Sequence, residues 1–78
     1  MKVKVYSTDT CPYCTIAKNF LKKHKIEFKE VNVANDMSAR QEMFNKSGQM
    51  GVPVIDIDGI IVIGFDQQAL KRILKIKD

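Results

Sequence analysis

Apolar and polar positions follow two periods along this chain, and the switches between them mark out seven elements. Val3 and Val5 alternate with Lys4 and Tyr6, the two-residue period of a strand over about residues 2 to 6. Ile16, Ala17, Phe20 and Leu21 then recur at the helical period, which predicts a helix from about Pro12 to Lys23. Pro12 suits its first turn, where the N–H that proline lacks would be unpaired anyway. A second strand is expected from about Glu27 to Val33, with Phe28, Val31 and Val33 as apolar positions whose alternation breaks phase. Asn35 or Asp36 can cap a second helix that reaches Lys46 or Ser47, with Ala39, Met43 and Phe44 inward and Gly48 as its stop.

The second half of the chain carries its clearest local signal. Val54-Ile55-Asp56-Ile57 and Ile60-Ile61-Val62-Ile63 flank Asp58-Gly59, a two-residue loop suited to the positive φ angles of a type I′ turn. Those two runs should pair antiparallel. Asp66 then caps a last helix whose Ala69, Leu70, Ile73 and Leu74 form one apolar stripe. The resulting order is β-α-β-α-β-β-α. Its first two strands, joined through a helix, are expected to run parallel.

Length makes the packing demand severe, because 78 residues form one small domain (residues 1–78) in which every element must contribute to the core. No linker, repeat or low-complexity tract interrupts it. The N-terminus lacks an apolar signal core, and no stretch approaches roughly 18 apolar residues, so a membrane role is not expected and a reducing cytoplasm is. The formal charge of +4 comes mainly from lysines, grouped as Lys18, Lys22, Lys23 and Lys25 and as Lys71, Arg72, Lys75 and Lys77. Both groups fall late in predicted helices, where they complement the negative dipole end, so a solvated face is the simple reading and weak attraction of acidic partners the other. Aromatic residues do not interleave with them, which disfavours nucleic acid as a partner. A monomer is expected.

Cys11-Pro12-Tyr13-Cys14 carries the candidate chemistry: two thiols two residues apart, after a strand and at the start of a helix, are placed to close into a disulfide and reopen. The chain has no further cysteine and one histidine, His24, so Cys and His alone could not complete a four-ligand zinc site. A thiol at a helix N-terminus faces unpaired N–H groups and the positive dipole end. Such placement can bring a cysteine from about 8.5 into the range of roughly 3.5 to 7.5. Cys11 is therefore the expected nucleophile, and Cys14, one turn further in and beside the buried stripe, the resolving thiol. Tyr13, between them in a turn, is expected to touch substrate. Lys18 reads either as positive potential near the dithiol or as a solvated charge. His24, Met37, Met43, Met50, Asp56 and Asp58 read as structural.

Three motifs in order, Cys11-Pro12-Tyr13-Cys14 with Lys18 following, Gly51-Val52-Pro53, and Gly64-Phe65-Asp66, show that the chain resembles the glutaredoxin-like redoxins of the thioredoxin-fold superfamily. The short bacterial and archaeal members look most similar. That resemblance implies an α/β thioredoxin-like fold, a four-stranded mixed sheet flanked by three helices, and a dithiol-disulfide oxidoreductase acting on protein or glutathione mixed disulfides. It implies no tightly bound cofactor, with glutathione or a thioredoxin reductase as electron donor. A redoxin recharged by thioredoxin reductase and serving ribonucleotide reductase is one alternative, and an iron-sulfur-binding module another. Pro12, directly after the nucleophile, argues against the module.

The same resemblance makes Pro53 a cis residue beside the dithiol and Val52 a main-chain docking site. It places Tyr13, Gln49, Gly64, Phe65 and Asp66 among substrate-binding positions. From the residues alone, Asp66 reads equally well as a plain helix cap and Phe65 as core. Where glutaredoxins commonly carry a basic residue, a threonine and a glycine, this chain has Thr8, Gly51 and Ile63, so the pocket for glutathione is expected to be partial.

Overall fold

The computed structural model describes residues 2–76, in which a four-stranded sheet of order β2-β1-β3-β4 is built from β1 (Val3–Ser7), β2 (Lys29–Asn32), β3 (Val54–Ile57) and β4 (Ile60–Ile63). Lys77, counted above with the C-terminal basic group, lies outside the described residues. β1 runs parallel to β2 and antiparallel to β3, and β3 pairs antiparallel with β4. Helices α1 (Pro12–Lys23), α2 (Met37–Ser47) and α3 (Gln67–Leu74) complete the β-α-β-α-β-β-α order of a thioredoxin-like fold. Among the described residues, no helix is long and apolar enough to cross a membrane.

Two apolar clusters, one on each face of the sheet, hold these layers together. On one face Val3, Val5, Ile55, Ile57 and Val62 meet Ala17, Phe20 and Leu21 of α1 and Leu70 and Leu74 of α3. On the other, Tyr6, Val33 and Val54 meet Ala39 and Met43 of α2. Burial on both faces explains why the simple alternation read from β1 fails at Tyr6: this residue points away from Val5 but toward α2, and its exposure is 0%. β1 also extends to Ser7, which pairs with Asn32.

Local signals set the element ends. Asp36 and Asp66 each accept a hydrogen bond from the N–H three residues on, Ala39 and Ala69, both at 3.1 Å, satisfying donors that the first helical turn leaves open. Gly48 stops α2 in the left-handed region at φ 73°. Asp58 and Gly59 adopt φ 50° and 92°, the pair of positive angles the hairpin requires. The other departures from expectation share one cause, partner supply. β2 is confined to the four residues paired with Lys4 to Ser7, with Val33 N–H donating once more to the Ser7 carbonyl at 2.9 Å, and Phe28 packs against the core without joining the sheet. Ile16 and Phe44, expected inward, remain 45% and 43% exposed, because α1 and α2 each cover a single sheet face and these residues lie beyond its rim.

A part-buried polar network lies beneath α2. The Tyr6 hydroxyl donates to Glu42 and accepts from Lys46 Nζ at 2.8 Å, while Lys46 Nζ also donates to Asp56 at 2.7 Å. Burial by itself would raise the Asp56 carboxyl, but Lys46 and the Gly59 N–H outweigh it and hold the group below the usual range. Glu42 is lowered chiefly by the Tyr6 hydroxyl. Carboxyls depressed on folding add stability that is complete above the ordinary carboxylate range, about pH 4, and lost as pH falls through their folded values. Lys46→Met should cost about 1.5 kcal/mol at neutral pH, the low end for charged hydrogen bonds because the lysine side chain keeps 31% exposure. Urea titrations at neutral and acidic pH should show that cost shrinking on acidification; a constant cost would assign it to packing.

Candidate active site

Cys11 is the N-cap of α1, with extended backbone angles, and its side chain takes the place that serine or aspartate takes in other caps. The Cys14 N–H donates to Cys11 Sγ at 3.1 Å. The bond pairs one of the N–H groups that the first helical turn leaves open and fixes the sulfur at the helix start. Pro12, at the first helical position, has no N–H to leave unpaired. Cys11 is partly exposed, whereas Cys14 is at 0% exposure, and both are free thiols.

The environment of Cys14 has the opposite character. Burial, followed by the side-chain hydrogen bond with Cys11, pushes its thiol up to about 11. A backbone hydrogen bond from Thr8 and the charge of Lys18 oppose that rise without cancelling it. Lys18 is not simply solvated: its Nζ donates to Glu30 at 2.6 Å, and its side chain is only 19% exposed. Glu30 also accepts from Ser7 Oγ at 3.3 Å, and the Lys18 hydrogen bond lowers its carboxyl. Sequence reasoning missed Glu30 and Ser7. Only the β1–β2 register brings them to Lys18.

The second wall of the site comes from the segment before β3. The Val52–Pro53 peptide is cis, and Cys11 Sγ lies 3.8 Å from the Val52 carbonyl, to which its thiol donates. Pro53 is buried, and its carbonyl accepts from the Gly64 N–H at 2.8 Å, so the third motif is tied directly to the second. Gly64 makes this turn at φ 75°, where a side chain would be strained. Cys11, Val52, Pro53 and Gly64 thus form one continuous patch.

The remaining candidates divide by what their side chains do. Tyr13 is 63% exposed, between the thiols. The Phe65 ring stands edge-on to Phe20 at 5.6 Å and packs on the core, which accounts for that side chain. Asp66 is occupied as the cap of α3. Gln49 folds its carboxamide onto the backbone of Gly51. Among the described residues, no group of three or more His, Cys, Asp or Glu side chains is placed to hold a metal ion.

Comparison with known proteins gives a consistent picture. Residues 3–62 match the family model described as Glutaredoxin. The chain is 48% identical over 73 residues to the uncharacterized glutaredoxin-like 8.6 kDa protein in the rubredoxin operon of Clostridium pasteurianum, covering 94% of this chain and 97% of that protein. It is 38% identical over 64 residues to glutaredoxin 3 of Escherichia coli K12, covering 82% of this chain and 77% of the relative. Among solved structures, a mutant of the thioredoxin-like protein BC3987 superposes with a TM-score of 0.92 at 34% identity, covering 97% of each chain.

The charge balance around Cys14 generates a prediction. In a Cys11→Ser background, Lys18→Met should raise the pH at which the Cys14 thiolate forms, and Glu30→Gln, which frees the lysine charge, should lower it. Ultraviolet thiolate absorbance reads both. Identical titrations in the two variants would show that the Lys18–Glu30 pair does not act on this sulfur.

Proposed function

The chain belongs to the glutaredoxin family, and on that premise we propose that it is a thiol-disulfide oxidoreductase cycling Cys11 and Cys14 between dithiol and disulfide. The observation that carries this reading is the asymmetry of the pair: Cys11 is partly exposed and accepts a backbone N–H at 3.1 Å, while Cys14 is buried with a raised thiol. Only the first is placed where a substrate disulfide can reach it.

In the proposed cycle, the Cys11 thiolate attacks one sulfur of a substrate disulfide. An S–S bond forms between enzyme and substrate as the substrate bond breaks, and the other substrate sulfur leaves as a thiolate that takes up a proton. Cys14 then loses its proton and attacks Cys11 Sγ. The mixed disulfide breaks, the Cys11–Cys14 bond forms, and the second substrate thiol departs, so two electrons have passed to the substrate. Glutathione or a thioredoxin reductase restores the dithiol. Val52 offers its main chain to an extended substrate, and Tyr13 supplies an exposed contact beside the sulfurs. Protein disulfides and glutathione mixed disulfides are the substrate classes. The raised Cys14 thiol makes resolution a step that gains as pH rises.

Cys11→Ser should abolish turnover, and Cys14→Ser should accumulate the mixed disulfide with a protein substrate. Alkylation by iodoacetamide at mildly acidic pH, followed by peptide mapping, should modify Cys11 first; preferential modification of Cys14 would reverse the two roles. A coupled assay that follows NADPH oxidation with glutathione and its reductase, or with thioredoxin reductase, identifies the donor.

The departures from the family pattern fix the expected size of the glutathione response. Thr8 has no charge for a carboxylate, and Ile63, 53% exposed next to Gly64, stands where a glycine would allow closer approach. One charge-assisted hydrogen bond is worth roughly 1.5 to 3 kcal/mol, or about one to two decades of affinity. Thr8→Lys combined with Ile63→Gly should therefore lower the KM for glutathione by about tenfold or more. Steady-state kinetics on a small mixed disulfide measure this, and an unchanged KM would mean that those two positions do not limit binding.

A further inference from the structure

Between the end of α2 and Pro53 the chain turns back on itself around one side chain. The Gly51 N–H donates to Gln49 Oε1 at 2.5 Å, and Gln49 Nε2 donates to the Gly51 carbonyl at 3.0 Å. Both ends of the carboxamide are therefore held by a single residue. Ser47 anchors the base of the turn. Its hydroxyl donates to the carbonyls of Met43 at 2.7 Å and Gln49 at 2.9 Å as alternatives, and accepts from the Gln49 N–H at 3.3 Å. The last helical turn of α2 is thus connected through Ser47, Gln49 and Gly51 to Val52, whose carbonyl meets Cys11 Sγ.

The identity of residue 51 belongs to the same arrangement. A Cβ built on Gly51 would fall 2.7 Å from Gln49 Oε1, closer than real Cβ contacts allow. Gln49 is long and flexible, so a side chain at 51 would displace its carboxamide rather than break the fold. Carboxamide closure and a side chain at 51 exclude each other. The closed amide commits one of its two donors and one of its two acceptor sites inside the protein, which halves what it can offer a small polar ligand.

We infer that Gln49 is a positioning residue whose closure on Gly51 fixes the Val52 backbone for extended protein disulfides, and that Gly51 is present because it permits this closure, biasing the site away from glutathione mixed disulfides. The inference rests on the reading of Val52 as a docking strand. Ordering the backbone before substrate arrives lowers the entropic cost of binding, an advantage that appears in KM and is largest for substrates that run along that backbone.

Gln49→Leu keeps the side chain's bulk and removes both bonds, while Gly51→Ala removes them by displacement. Each should lower kcat/KM on a protein disulfide about tenfold more than on a glutathionylated small molecule, the scale of two neutral hydrogen bonds, with the change in KM. The double variant should be no worse than either single one, because both act on one interaction. Selective loss on the glutathionylated substrate, or additive losses, would overturn the inference. Hydrogen exchange at the residue 51 amide tests the closure without reference to activity: exchange should be about tenfold faster in Gln49→Leu than in the native protein, and equal rates would overturn it. Inactivity of the native protein on both substrates would instead count against the oxidoreductase reading.

Discussion

The antiparallel pairing of β1 with β3 is the constraint on which the site depends. Its register sets Tyr6 opposite Val54, so the chain that leaves β1 toward Cys11 and the chain that arrives at β3 through Val52 and Pro53 emerge at the same end of adjacent strands. The sulfur-to-carbonyl contact of 3.8 Å follows from that adjacency. A slip of one residue would turn Tyr6 out from under α2, drive Val5 out of the opposite cluster and separate the two motifs. Packing on both faces therefore holds the two motifs together at one end of the sheet.

Within that frame, one turn of helix gives two identical side chains different chemistry. Cys11 ends outside the first turn and receives a backbone N–H; Cys14 ends inside it, against the core. Neither environment requires a dedicated acid or base. The Lys18–Glu30–Ser7 group, drawn from α1, β2 and β1, adds a smaller adjustment, with Glu30 holding the lysine whose charge reaches Cys14. At Cys14, burial acts first and charged neighbours second.

What was legible in the sequence divides along the same line. Interactions between residues close in sequence could be read: the hairpin at Asp58-Gly59, the caps at Asp36 and Asp66, the helical stripe of Ala17, Phe20 and Leu21, and the exposed-versus-buried order of the two cysteines. Properties that need to know what covers the other face could not. Tyr6 looked polar because its ring sits where a one-sided sheet would meet water, and Ile16 and Phe44 looked buried because period alone does not give the width of the contact. Glu30 became part of the site only through register. The Gln49–Gly51 closure lay in plain view as a two-residue spacing, but a glutamine and a glycine announce nothing until the turn between them is known.

The two sheet edges are guarded in different ways. β2 carries Lys29 and Glu30, charges that discourage another strand from pairing there. β4 is Ile60-Ile61-Val62-Ile63, without a charge or a proline, and Ile60 and Ile63 are about half exposed. Its shortness limits the ladder any visiting strand could form. Beyond that, each copy carries a formal charge of +4, which opposes the approach of another. The protection is thus colloidal rather than steric at this edge, and it weakens as salt shortens the screening length, which is about 8 Å at physiological ionic strength.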